Sequence, residues 1–176
     1  MKKQITNKKQ PSLFPSFCLY SKRALLNEYA PESEIIQYLW PSSNTELKEL
    51  LPMFVGVLQS LFTAVNDLPF IDEDSSEDDS STVEDYLDDS PFTIVGLNTM
   101  KLVNWNNMHD LVTETANYKN DICLMIIVSS QLKDSTIMKH MHSIQQDPKL
   151  ALSSSLLTSV QLGNLLNPLI NYWFDH

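Results

Sequence analysis

The sequence predicts an α+β domain, and three features carry that prediction. Runs rich in aromatic and β-branched residues alternate with turn formers near the start of the chain. One long stretch places apolar residues at intervals of three and four, and residues 122–128 form an uninterrupted apolar run of strand length. In chain order these give strand, strand, long amphipathic helix, two or three strands, then C-terminal helices. The 176 residues fit one domain and are enough to bury a core.

Residues 1–12, MKKQITNKKQPS, are polar and basic and are expected to be disordered, with the folded domain spanning 13–176. Leu13 to Tyr20, LFPSFCLY, is bounded by Pro15 and by SKR and suits a first strand from about Ser16. The linker Ser21 to Ser33 carries the turn formers Asn27 and Pro31. Ile35 to Trp40 supplies a second strand, stopped by Pro41, which cannot donate to a strand ladder.

The strongest periodic signal follows. Leu47, Leu50, Leu51, Phe54, Leu58, Leu61, Phe62 and Val65 lie along one face of a helix of about five turns. Ser43 and Glu46 have the spacing of a capping box, in which hydroxyl and carboxylate satisfy orphaned backbone donors. Pro52 fits either a kink in that helix or a regular part that begins near Leu50. Residues 71–90, IDEDSSEDDSSTVEDYLDDS, repel themselves and cannot bury enough apolar area to offset ordering entropy, so a disordered acidic insert is expected.

After Pro91, FTIVGL (92–97) and MKLVNW (100–105) read as a hairpin turning at Asn98-Thr99 or as one bent strand. Residues 106–121 are polar and carry no clear period. ICLMIIV (122–128) has the pattern of a central strand covered on both faces. Ile137, Met138, Met141 and Ile144 predict a helix over 135–146, ended by Pro148. Residues 159–176 read as one further helix, broken at Gly163 and Pro168.

Composition excludes several functions. With three glycines in the chain, a P-loop or a dinucleotide-binding turn has almost no raw material. The formal charge of -10 is local: Asp72 to Asp89 holds ten acidic residues and no Lys or Arg, and the remainder has twelve acidic and twelve basic. Neither part offers a basic face to a phosphate backbone, so nucleic-acid binding is not expected. Cys18 and Cys123 sit in apolar, strand-like runs and read as reduced core residues. No apolar stretch is long enough for a signal peptide or a membrane span, which with reduced thiols points to the cytosol.

Chemistry-bearing groups are sparse. His140 and His142 are two apart on the predicted helix and diverge, whereas metal-ligand pairs prefer spacings of three or four. The acidic run lacks the glycine and ligand spacing of a calcium loop. Ser75, Ser76 and Ser81 each have an acidic residue three positions on, which suits phosphorylation by an acid-directed kinase. No Gly-flanked serine or cysteine elbow is present, so neither side-chain catalysis nor a cofactor is expected. Trp40 has two readings, packing at the end of a sheet or standing exposed as a partner anchor.

Several of these segments resemble a known family. FCLYSK (17–22), a polar spacer, EIIQYLWPS (34–42) and the helix LLPMFVGVLQSLFTAV (50–65) resemble the opening of a longin domain. The likeness is to the first longin domain shared by three groups of vesicle-traffic proteins. These are the vacuolar fusion subunit named for caffeine, calcium and zinc sensitivity, the Hermansky-Pudlak syndrome protein, and the planar-polarity protein Inturned. Phe17, Leu19 and Tyr20 match the family's aromatic strand, and Leu39, Trp40 and Pro41 match its aromatic-proline strand end. MKLVNW, a variable loop and ICLMIIVSS resemble its final strands. The acidic insert is a departure from the family, and these 176 residues are not expected to hold its further longin domains.

The resemblance implies a five-stranded antiparallel sheet with one long helix on one face and C-terminal helices on the other. It implies non-enzymatic work: pairing with a second longin protein to seat a Rab GTPase for guanine-nucleotide exchange, peripheral to endosomal or vacuolar membranes. The partner-binding residues expected on that basis are Ile36, Tyr38 and Trp40 in the second strand and Met53, Val57 and Gln59 on the helix. A small scaffold subunit of a coat, tether or assembly chaperone, without exchange activity, is the alternative.

Overall fold

A computed structural model describes residues 14–67, 91–106, 108, 122–152 and 157–175. Residues 1–12, the insert 71–90 with Ser75, Ser76 and Ser81, and His109 lie outside the described residues. The described elements are β1 (Ser16–Ser21), α1 (Lys22–Leu25), α2 (Glu32–Ile35), β2 (Ile36–Trp40), α3 (Thr45–Asp67), β3 (Phe92–Gly96), β4 (Met100–Trp105), β5 (Ile122–Ser129), α4 (Asp134–Gln145), α5 (Pro148–Leu152) and α6 (Ser159–Phe174). The strands form one five-stranded sheet in the order β2-β1-β5-β4-β3, every pair antiparallel. This is an α+β fold of longin-like arrangement.

The run ICLMIIV becomes β5, at the centre of the sheet between β1 and β4. Because strand side chains alternate, Ile122, Leu124, Ile126 and Val128 enter one core and Cys123, Met125 and Ile127 the other. β1 divides in the same way, Phe17 and Leu19 against Cys18 and Tyr20. The second core is covered by α1, α2 and α3, through Leu25, Ile35, Leu47, Leu51, Phe54 and Leu58. The first is covered by α4, α5 and α6, through Ile137, Met141, Ile144, Leu150, Leu162, Leu166 and Ile170.

Local structure departs from the sequence expectations at four places. The cap of α3 is Asn44, whose Oδ1 accepts from the Leu47 N–H at 3.1 Å, while Ser43 is exposed. Asn44 stands directly before Thr45 and so reaches the third helical N–H, which Ser43 is one residue too early to do. Pro52 lies inside α3, which begins seven residues before it. The linker 21–33 contains α1 and α2, and the Ser21 hydroxyl caps α1 by accepting from the Ala24 N–H at 3.1 Å. Elements of four residues are too short to leave a period in the sequence.

The fourth departure is α6, which runs unbroken through Gly163 and Pro168 from a capping box formed by Thr158 and Gln161. Pro168 and Asn164, whose carbonyl it deprives of a helical donor, are both exposed, so the missing bond falls on the wet side. Residues 92–105 form a hairpin rather than one bent strand, closed at Asn98-Thr99 by Leu97 N–H to the Met100 carbonyl at 2.8 Å. Lys101 ties that hairpin to the start of α4, its Nζ donating to the Leu132 carbonyl at 2.7 Å and to Asp134 at 2.6 Å.

Gly163 has a positive reason to be glycine. A Cβ there would lie 2.4 Å from Tyr38 Cγ, inside any permitted contact. The Tyr38 ring stacks on Phe17 with centroids 5.6 Å apart, and its hydroxyl donates to Asn164 Oδ1 at 3.2 Å. α6 therefore seats directly on β2. Gly→Ala in a helix usually stabilises, but Gly163→Ala is expected to destabilise by about 1–3 kcal/mol through overpacking. Urea denaturation checks this, and the penalty should shrink when Tyr38→Leu is combined with it.

Candidate protein interaction site

The expected partner-binding residues do not share one surface. Tyr38 and Trp40 are half-buried against the α4–α6 core. Ile36 and Val57 are half-buried on the opposite side, against the core under α3. Met53 is exposed on α3, at 48%. Gln59 lies in α3, with its side chain outside the described residues. The strand β2 is a sheet edge, but an irregular one: Leu19 pairs with Tyr38 and Tyr20 with Ile36, which leaves Gln37 as an extra residue. Such a bulge is a common way to blunt an edge against strand addition. Gln37 and Tyr38 are both tied to α6, through Ser159 and Asn164.

The opposite edge is β3, which the sequence reading did not single out. Its register with β4 runs without interruption from Phe92↔Trp105 to Gly96↔Lys101. The bonds Leu97 N–H to Met100 O and Asn106 N–H to Pro91 O fix the odd-numbered residues as the ones bonded to β4. In an antiparallel ladder the alternate residues point their backbone groups outward, so Ile94 and Gly96 present N–H and C=O beyond the sheet. Gly96 is exposed, and a Cβ there meets nothing within 4 Å. Beside this edge Met53, Leu97, Asn98, Thr99 and Met100 line an open groove between α3 and the hairpin turn. The one signal in the sequence was the FTIVG run itself, which does not say that the strand is at an edge.

Polar and titratable groups inside the fold serve packing. The Tyr20 hydroxyl donates to Asn104 Oδ1 at 2.5 Å, and Asn104 Nδ2 donates to Asn106 Oδ1 at 2.7 Å. Cys18 and Cys123 are buried and form no disulfide. Burial, aided by the neighbouring Cys123, pushes the Cys18 thiol from 9.0 up to about 12, which holds it as an unreactive thiol at neutral pH. Burial likewise drives the Tyr20 phenol well above its ordinary range. The His140 ring packs against Trp173 and Phe174 with centroids 5.2 Å away, whereas His142 is exposed and edge-on to Phe92. Among the described residues no group of three or more His, Cys, Asp or Glu side chains is placed to hold a metal ion, and no helix is long and apolar enough to cross a membrane.

Comparison with protein-family models, with curated protein sequences and with solved structures finds no match to this chain.

The buried thiol and phenol predict a pH dependence of stability. Both are neutral in the folded state and have folded pKa values above the unfolded ones. The stability they contribute is therefore complete below pH 9.0 and is lost as pH rises toward 12. Each ionising group adds up to about 1.4 kcal/mol of loss per pH unit. Denaturation titrations between pH 8 and 11 should show Cys18→Ala with a shallower alkaline slope than the wild type. Tyr20→Phe, which leaves Asn104 short of a donor, should cost about 1–3 kcal/mol at neutral pH.

Proposed function

We propose that this chain is a non-enzymatic longin-domain subunit of vesicle-trafficking machinery. It pairs with a second longin protein, and the pair forms a guanine-nucleotide exchange platform for a Rab GTPase in endosome-to-vacuole transport and fusion. What supports the reading is the strand order β2-β1-β5-β4-β3 with α3 alone as the long helix on one face, together with the family-like segments at 17–65. The open edge of β3 supports a pairing role. A strand with outward backbone groups beside an open groove of mixed lining gives a partner both affinity, through main-chain bonds, and specificity, through side-chain seats.

On this reading the chain acts in the cytoplasm, peripheral to endosomal or vacuolar membranes, and reaches them through its complex. It takes no cofactor, and its contribution to GDP release is steric and conformational, exerted on the GTPase. Phosphates on Ser75, Ser76 and Ser81 would deepen the negative charge of the insert. The scaffold alternative keeps the same pairing surface and omits exchange.

Affinity purification of tagged protein separates these readings. The proposal expects a second longin protein and a GDP-bound Rab to co-purify. Recovery of a stable assembly without a Rab favours the scaffold, and recovery of neither partner overturns both. The Gly96→Pro variant locates the surface: its lost N–H faces outward, so the fold should survive, while partner recovery should fall by about tenfold or more. Unchanged recovery would place the partner elsewhere.

A further inference from the structure

The helix α6 holds no Asp, Glu, Lys or Arg in its 16 residues. The other long helices carry exposed charges, Glu46, Lys48 and Glu49 on α3 and Asp134 and Lys139 on α4, as a helix face in water usually does. On α6 the exposed positions are Val160, Gln161, Asn164, Pro168 and Tyr172, of which all but Gln161 follow one another at intervals of four and make an uncharged stripe. Its two ends are apolar or aromatic, Val160 at 54% and Tyr172 at 69% exposure. Loss of charge with retention of tyrosine is the composition of the core of a protein interface.

We propose that this stripe is where two copies of the chain meet, their α6 helices antiparallel across a twofold axis. The stripe is self-complementary in that arrangement: Val160 faces Tyr172 of the other copy and Asn164 faces Pro168. A charged residue near a twofold axis meets its own like charge, and the α6 positions nearest the axis, Asn164 and Pro168, are uncharged, with Glu34 and Asp175 only at the two ends of the stripe. The placement of the acidic insert favours a second copy as well. Its ten acidic residues between Asp72 and Asp89 join the fold after Asp67, at the end of α3, and before β3. The helix α3 covers the opposite face of the sheet, and β3 is the opposite edge from β2, on which α6 packs. Two chains of net charge -10 thus meet through the long helix most remote from both attachment points of their repelling segments. The stripe from Val160 to Tyr172 is about 18 Å long, which makes the contact a weak, transient one and the dimer concentration-dependent. It leaves β3 and α3 open, so it does not rest on the exchange-platform reading.

Sedimentation equilibrium of the full chain across the micromolar range tests this. A reversible dimer is expected, and added salt should strengthen it by screening the acidic inserts. Val160→Lys and Tyr172→Glu should each weaken it about tenfold, and the double variant should recover the loss because the two positions face each other. Both side chains are exposed, so circular dichroism should be unchanged, and Lys48→Gln, at an exposed position of α3, serves as a variant that leaves dimerisation intact. A monomer at every concentration, a dimer unmoved by both single variants, or a dimer broken by Lys48→Gln overturns the proposal. So does a monomer that binds neutral lipid vesicles through Tyr172.

Discussion

Everything in this fold follows from the need to keep both faces of β5 dry. Seven consecutive apolar residues, Ile122 to Val128, are buried, and truncating any one large member would cost about 2–5 kcal/mol. Against a total stability of about 5–15 kcal/mol for an ordinary domain, that strand cannot lie at an edge or on a wet face. It must have a strand on each side and a helical layer above and below. The long helix α3 supplies one layer with its single apolar stripe, and α4 to α6 supply the other. Two strands are then left as edges, β2 and β3.

The two edges are finished differently, and the difference bears on function. At β2 the bulge around Gln37, the Gly163 to Tyr38 contact and the hydrogen bonds to α6 draw the strand into the molecule. At β3 the ladder is regular up to its tight turn, and no described strand pairs with its outer side. In the interior, Tyr20 and Asn104 satisfy each other between β1 and β4, across β5. A buried pair of that kind holds the register of the three central strands, because sliding one strand would leave both polar groups unpaired.

Much of this was legible in the residues. The helical period from Leu47 to Leu58, the period of α4 and the unbroken apolar run of β5 each specify an element because the side chains face a dry core. The local chemistry of helix ends and linkers was less so. Asn44 and Ser43 are both good caps, and only the backbone path selects one. The four-residue helices α1 and α2 are shorter than any period they might show. Pro168 and Gly163 carry the usual signs of a break, yet the first sits where its lost bond faces water and the second is required by the Tyr38 ring. The expected partner residues followed β2 and α3 because the family resemblance implies pairing through a sheet edge and the first long helix. Which strand ends the sheet with its backbone open depends on long-range pairing, which no local pattern records.

The picture of a dry central strand flanked by one closed and one open edge makes a residue-level statement about the backbone. Amide hydrogen exchange followed by NMR reads it most directly. The account predicts that amides of β1 and β5 exchange only through global unfolding, and that protection alternates along β3, with Ile94 and Gly96 fast and Val95 slow. Uniform protection of Ile94, Val95 and Gly96 at the level of Ile126 would contradict it.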